Sequence, residues 1–303
     1  MGLFSSKINR EVKKLERGES VLNLNKQSSD KAVDVIRELS GVNTRRKKLV
    51  DKVIVFTNAS GGTGATTTLI NVAYNMVQQG LKVCAIDLNI MCPTLHAYLG
   101  IEQNIDKNTP DLVGYLLGKN KLNESINVSD PINLLYSNNR TITDEVNCNT
   151  KIAIENFGAM ISSLREYYDV ILVDCPMRID CLLQNTMFYL ADAIYTVWDE
   201  GINCILNTEK VRRNMAMTGI EAFTKMRVIL NKRTGVHYSK YPMTQLNLEL
   251  VEVLPYEQDI VYDSLRGAIF CKNGSSSSDT AKVYTAKIAE LTDKILKIAG
   301  YVK

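Results

Sequence analysis

Between Val53 and Thr67 the chain reads Val-Ile-Val-Phe-Thr-Asn-Ala-Ser-Gly-Gly-Thr-Gly-Ala-Thr-Thr, and these residue types at this spacing point to anion binding. Gly61, Gly62 and Gly64 clear side chains from the backbone just where Ala65, Thr66 and Thr67 open an apolar-periodic helix. Successive N–H groups can then converge at a helix N-terminus whose dipole favours negative charge. The expected guest is a phosphate. Loops of this kind normally carry a lysine directly before a Ser/Thr whose hydroxyl holds Mg²⁺. Thr66 supplies the hydroxyl, but Ala65 stands where the lysine would.

Two carboxylates extend the pattern. Asp87 ends the apolar run from Val83, and Asp174 ends the run Val-Ile-Leu-Val from Val170. A carboxylate at such a strand end can hold Mg²⁺ through water, opposite the Thr66 hydroxyl, although strand-end aspartates also serve as caps and turn formers. A rival reading is that Gly62-x-Gly64 followed by Asp87 begins a dinucleotide fingerprint. Its third glycine is Thr67 here, so the full pattern fails. The two histidines, His96 and His237, suggest no Cys/His or Ser/His catalytic pair. Cysteines at 84, 92, 148, 175, 181, 204 and 271 include no Cys-x-x-Cys pair and read as small buried hydrophobes in a reducing compartment.

Elements must hold these residues together, and from residue 52 onward strand-like and helix-like segments alternate. Strands are predicted at Val53–Thr57, Val83–Asp87, Asn133–Tyr136, Val170–Asp174, Ile194–Trp198, Met226–Leu230 and Leu250–Leu254. Helices fit between them, notably at Thr66–Gln79, Lys151–Tyr167, Asn203–Met217 and Thr280–Ala299. Alternation of this kind builds an α/β fold, a mainly parallel doubly wound sheet covered on both faces, with ligands at the C-terminal strand ends. Ser275–Ser278, after Gly274, reads as a flexible loop.

At 303 residues, 45% hydrophobic and a net charge of +3, the composition is that of an ordinary globular α/β chain. No apolar run approaches the roughly 20 residues a membrane-spanning helix needs, and the first 20 residues do not read as a signal peptide. Residues 1–50 hold 12 Lys/Arg against 6 Asp/Glu, while the rest holds 24 against 27. The division expected is a basic helical arm and linker at 1–50 and a nucleotide-binding domain at 51–303. In the arm, Leu3, Phe4, Ile8, Val12 and Leu15 form the apolar face of a short basic helix, suited to an anionic membrane, to a partner or to its own domain. Met-Gly-Leu-Phe-Ser-Ser also fits the loose myristoylation pattern. A second helix is expected from Asp30 to Gly41, and Arg45-Arg46-Lys47-Lys48 reads as a solvated connector or a nucleic-acid contact.

Ser60–Thr67, Asp87-Leu88-Asn89, Pro93-Thr94-Leu95-His96, Asp174-Cys175-Pro176, Asn231 after a strand and Val253-Leu254-Pro255-Tyr256 together resemble the ParA/MinD superfamily of deviant P-loop ATPases. The resemblance runs from about Asp51 to the C-terminus, and the Gly-Gly-x-Gly-Ala-Thr-Thr form most resembles the TadZ/CpaE branch, which positions pilus assembly machinery at a cell pole. It implies a deviant Walker A loop in which Gly61, Gly62, Thr63, Gly64, Ala65, Thr66 and Thr67 bind the phosphates of ATP or ADP. Thr66, Asp87 and Asp174 would serve Mg²⁺, and Asn231 with the Pro255 loop would hold adenine. It also implies a homodimer with nucleotide at the interface and a protein partner from a pilus, secretion or partition system. The location implied is cytoplasmic, or peripheral at the membrane or a cell pole.

Three departures qualify that expectation. The family's signature lysine, which crosses the dimer interface, falls on Ser60; the ordinary P-loop lysine falls on Ala65; the hydrolytic aspartate falls on Asn89. Losing a positioned cation in phosphoryl transfer costs on the order of 10³-fold or more in rate, whereas the backbone cradle does not need those side chains. Nucleotide binding is therefore expected to outlast hydrolysis, in a localisation or assembly factor. A DNA-partition or division-site ATPase and a nucleotide-free pseudo-ATPase scaffold are the alternatives. The tail Leu291, Ile295, Leu296 and Ile298 with Lys294, Lys297 and Lys303 is similar to the membrane-targeting helix of MinD, and equally to the last helix of any domain.

Overall fold

The computed structural model describes residues 53–101, 105, 108–128, 131–138, 148–178, 181–217, 224–234, 246–273 and 278–301. The features read in residues 1–50, His237 and residues 275–277 of the serine patch lie outside the described residues.

Seven strands form one sheet: β1 (Val53–Asn58), β2 (Val83–Asp87), β3 (Asn133–Leu135), β4 (Val170–Asp174), β5 (Ala193–Trp198), β6 (Met226–Arg233) and β7 (Glu249–Pro255). Their order is β3-β2-β4-β1-β5-β6-β7, and every pairing in it is parallel. The expected mainly parallel sheet is thus wholly parallel among the described strands. Every residue of β2, β4 and β5 is buried, which is why these strands read as near-continuous apolar runs without alternation.

Ten helices are described: α1 (Ala65–Gln78), α2 (Leu95–Tyr98), α3 (Leu112–Leu116), α4 (Leu122–Ser125), α5 (Lys151–Tyr167), α6 (Leu182–Leu190), α7 (Ile202–Met217), α8 (Asp259–Leu265), α9 (Phe270–Asn273) and α10 (Asp279–Ile298). They divide between the faces of the sheet. Val55, Ile86, Val173 and Trp198 pack with Leu112, Phe157, Met187 and Cys204 on one face, from α3, α5, α6 and α7. Ile54, Phe56, Leu172 and Tyr195 pack with Leu69, Met76, Tyr284, Ile288 and Ile295 on the other, from α1 and α10.

The structure decides between the two readings of the tail. Leu291 and Ile295 are fully buried and Leu296 nearly so, within the core that α10 shares with α1. Burying each such side chain contributes about 1.5–3 kcal/mol, so this stripe belongs to the domain interior and not to a membrane. No helix among the described residues is long and apolar enough to cross a membrane. Boundaries moved by one to three residues in eight of the eleven predicted elements. The first helix begins at Ala65, one residue before the expected Thr66, and β6 runs three residues past Leu230.

Candidate functional site

The strand order gathers the residues singled out in the sequence. β4 lies beside β1, so Asp174 sits next to the glycine loop that follows Asn58. β2 lies beside β4 with Asp87 opposite Asp174. On the far side of β1, Asn231 lies near the end of β6 and Pro255 ends β7. A cavity of about 490 Å³ opens at these strand ends, a volume typical of small-molecule sites. It is lined by Gly62, Thr63, Gly64, Ala65, Thr66, Thr67, Asn89, Asp174, Asn231 and Pro255 among others. Gly61 and Asp87 are not among the lining residues.

The loop keeps its amide donors available. Gly64, at the helix N-cap, offers no side chain to cap α1, and no acidic residue occupies the first turn. The N-terminal amides of an α-helix lack intrahelical partners, and the residues that carry them here line the cavity, an arrangement suited to an anion. The Thr63 hydroxyl is buried without a partner, a further polar group in the wall. Gly64 adopts φ +91°, where only glycine is unstrained. A Cβ there would lie 2.4 Å from Asn231 Nδ2, because Asn231 reaches across from β6 and donates to the Thr63 carbonyl at 2.8 Å. Asn231 therefore clamps the loop in this structure.

Thr66 and Asp174 are already joined. The Thr66 hydroxyl donates to Asp174 Oδ2 at 2.6 Å. Asp87 makes different use of its carboxylate: Oδ1 accepts from the Asn89 amide at 2.9 Å, and Oδ2 from Thr94 and Leu95 amides at 2.8 and 2.9 Å. Its oxygens thus shape the 88–95 segment and start α2. Burial pushes the Asp87 carboxyl up to about 6 even against those three donors. Asp174 is pushed up to about 7, first by burial and then by the charge of Asp87, with the Thr66 hydroxyl opposing. Two neighbouring carboxyls held near neutrality want a cation, and a threonine hydroxyl with carboxylate oxygens is the hard donor set Mg²⁺ prefers. No group of three or more His, Cys, Asp or Glu side chains that could hold a metal ion occurs among the described residues. The set therefore suits an ion that takes its remaining ligands from phosphate and water rather than from a protein cage.

Asn89 lines the cavity and closes a turn by donating from Nδ2 to the Cys92 carbonyl at 2.7 Å. His96 is buried and stacks on Tyr136 with centroids 5.2 Å apart, which is a structural role. Five of the seven cysteines are buried, Cys271 is half-buried and Cys92 exposed. Beyond Pro255, Tyr256, Glu257, Ile260 and Val261 continue the cavity wall into α8. Glu257 is buried and engaged by the Asp259 amide at 2.9 Å and the Ser278 hydroxyl at 3.1 Å. The turns that follow α2 and α8 meet backbone to backbone: a Cβ on Gly267 would lie 2.5 Å from Gly100 Cα.

Sequence reasoning missed Lys232. It follows Asn231 at the end of β6, lines the cavity, and donates from Nζ to the Gly62 carbonyl at 2.5 Å. The only signal for it was a lysine directly after the strand-end asparagine.

Comparison with known proteins agrees with this geometry. A family profile described as an AAA domain matches residues 51–226. The septum site-determining protein MinD of Thermotoga maritima is 26% identical over 231 residues, which are 74% of this chain and 82% of that protein. Among solved structures, MinD of Pyrococcus horikoshii complexed with Mg-ADP aligns with a TM-score of 0.66 at 23% identity, over 82% of this chain and 97% of its own. A ParA family ATPase from Chlorobium tepidum aligns with a TM-score of 0.62 at 18% identity, over 80% and 98%. The two structures speak for the fold, and the profile spans the glycine loop, both aspartates and five of the seven strands. The chain belongs to the AAA domain family and, with it, to the ParA/MinD superfamily of P-loop ATPases.

Proposed function

We propose that this protein binds ATP or ADP with Mg²⁺ in the strand-end cavity, hydrolyses ATP slowly at best, and works as a localisation or assembly factor. The observation that carries the reading is the 2.6 Å bond between Thr66 and Asp174, beneath a glycine loop at which Ser60, Ala65 and Asn89 are all uncharged. Groups for holding a nucleotide are present, and the charged groups expected for turnover are not. Mg²⁺, when bound, offsets phosphate charge. Thr66 and Asp174 would hold it, with Asp87 supporting the loop beside them and the amides from Gly62 to Thr67 facing the phosphates. Asn231 and the Pro255 loop would border the adenine.

The output of such a protein is position rather than product. The fine assignment we propose is TadZ/CpaE-like, placing a pilus or secretion assembly through a nucleotide-bearing homodimer and a protein partner. Residues 1–50, with their excess of Lys and Arg, would form an arm separate from the domain at 51–303 and contact an anionic surface. Titration calorimetry with Mg²⁺ and ATP or ADP, paired with phosphate-release measurements, tests the core of this reading. Binding with turnover at least about 10³-fold below lysine-bearing relatives is expected. No binding, or turnover at their rate, refutes it.

A further inference from the structure

Lys232 is the only Lys or Arg among the described residues that line the cavity, whose charged lining is otherwise Asp174 and Glu257. A phosphate-binding cavity with this balance has one cation to offer. That cation comes from β6, not from the glycine loop.

The backbone is bent to deliver it. Lys232 has φ 58°, a left-handed conformation that costs a residue with a Cβ roughly 1 kcal/mol. The β6–β7 register slips between Leu230 and Arg233, the two-residue interval that contains the bend. Irregularities of this type re-aim a side chain next to a functional site, and strained residues persist where the surroundings over-determine them. Here the side chain is turned over the N-cap of α1: Lys232 Cε would lie 3.9 Å from a Cβ on Gly64, and Nζ sits 2.5 Å from the Gly62 carbonyl. An ammonium has three donors, so one bond to the loop leaves two for a ligand.

We propose that Lys232 is a phosphate-binding residue that supplies, from β6, the positive charge Ala65 and Ser60 lack, and that it contacts a phosphate group of the nucleotide bound by the same loop. The inference rests on the nucleotide reading given above. It makes Asn231-Lys232 a paired device: the asparagine fixes the loop through Thr63, and the lysine charges it. It also separates holding from turnover, because a cation reaching in from β6 can favour bound phosphate without restoring Asn89 to an aspartate.

The test is calorimetry of the full chain with Mg²⁺ and adenosine, AMP, ADP and ATP, comparing wild type with Lys232→Met, Lys232→Gly and Lys232→Arg. Glycine removes the charge while accepting the left-handed backbone, so it guards against misfolding of the methionine variant. The expected result is an affinity loss of about 10- to 100-fold for ATP in both uncharged variants, adenosine affinity unchanged, and most of the loss recovered by arginine. ATP affinity within about twofold of wild type in the glycine variant overturns the inference. So does an equal loss for adenosine and ATP, which would mean that Lys232 only braces the loop. A wild-type chain that binds none of the four overturns the nucleotide reading itself, and the inference with it.

Discussion

Replacing Asp174 by asparagine should stabilise the protein without ligand and abolish its response to Mg²⁺-nucleotide. Asp174 and Asp87 face each other across neighbouring strands, both buried. Burial and mutual repulsion hold the Asp174 carboxyl at about 7, against about 3.9 in an unfolded chain. A raised folded value means that the native state binds the proton more tightly than the unfolded state. The penalty is therefore absent below about pH 4, grows as pH rises, and is fully present above about 7. Its upper size is on the order of 4 kcal/mol at pH 8, from the 1.36 kcal/mol that each pH unit represents. The side-chain carbonyl oxygen of the substituted asparagine can still accept from the Thr66 hydroxyl, so the 2.6 Å bond has a replacement. Urea unfolding of wild type and Asp174→Asn at pH 5 and pH 8, without ligand, should show the variant more stable by about 1–3 kcal/mol at pH 8, with the gain shrinking toward pH 5. With Mg²⁺-ATP the order should reverse, because the ion requires the ionised carboxylate. A variant less stable at pH 8 without ligand, or a difference that does not change with pH, would refute the argument that this pair is strained until a cation arrives.

Other outcomes follow from the same geometry. Gly64→Ala must accommodate φ +91° and a Cβ 2.4 Å from Asn231 Nδ2; we expect a loss of about 2 kcal/mol or more in chemical denaturation and weakened nucleotide binding in calorimetry. In a thiol titration of the native protein, exposed Cys92 should react rapidly, since burial pushes Cys84 up to about 12 and Cys175 well above its ordinary value. A second equally fast thiol would contradict the packing. The double variant Ala65→Lys, Asn89→Asp should raise ATP turnover by at least about 10²-fold in a phosphate-release assay; an unchanged rate would show that those positions are not what limits hydrolysis.

The strand framework was largely visible in the sequence because β2, β4 and β5 are buried on both faces and must be apolar throughout, leaving their ends marked by Asp87, Asp174 and the turn after Trp198. The ends of β2 and β4 were placed to the residue for that reason. Short elements such as α3, α4, α8 and α9, each of seven residues or fewer, are too brief to show a helical period and are held by tertiary contacts instead. The glycine loop and the strand-end Asp174 could be found because local spacing creates them. Asp87's three amide bonds could not, since they depend on how residues 89–95 fold back. Lys232 is invisible for a different reason: its direction is set by a slip in strand register and a left-handed backbone, and neither leaves a mark in residue type. Asn231 lines the cavity, but its grip on Thr63 appears only in three dimensions.

The close approach of Gly100 and Gly267 ties the turn after α2 to the turn after α8. Asp87 holds the Thr94 and Leu95 amides, Leu95 begins α2, and two residues past the end of α2 Gly100 meets Gly267 backbone to backbone with no side chain between. Immediately before that contact lies α8, which presents Val261, Tyr262 and Leu265 to the outside. The buried strand-end carboxylate and the exposed apolar residues of α8 are thus joined by two amide hydrogen bonds and one direct backbone contact.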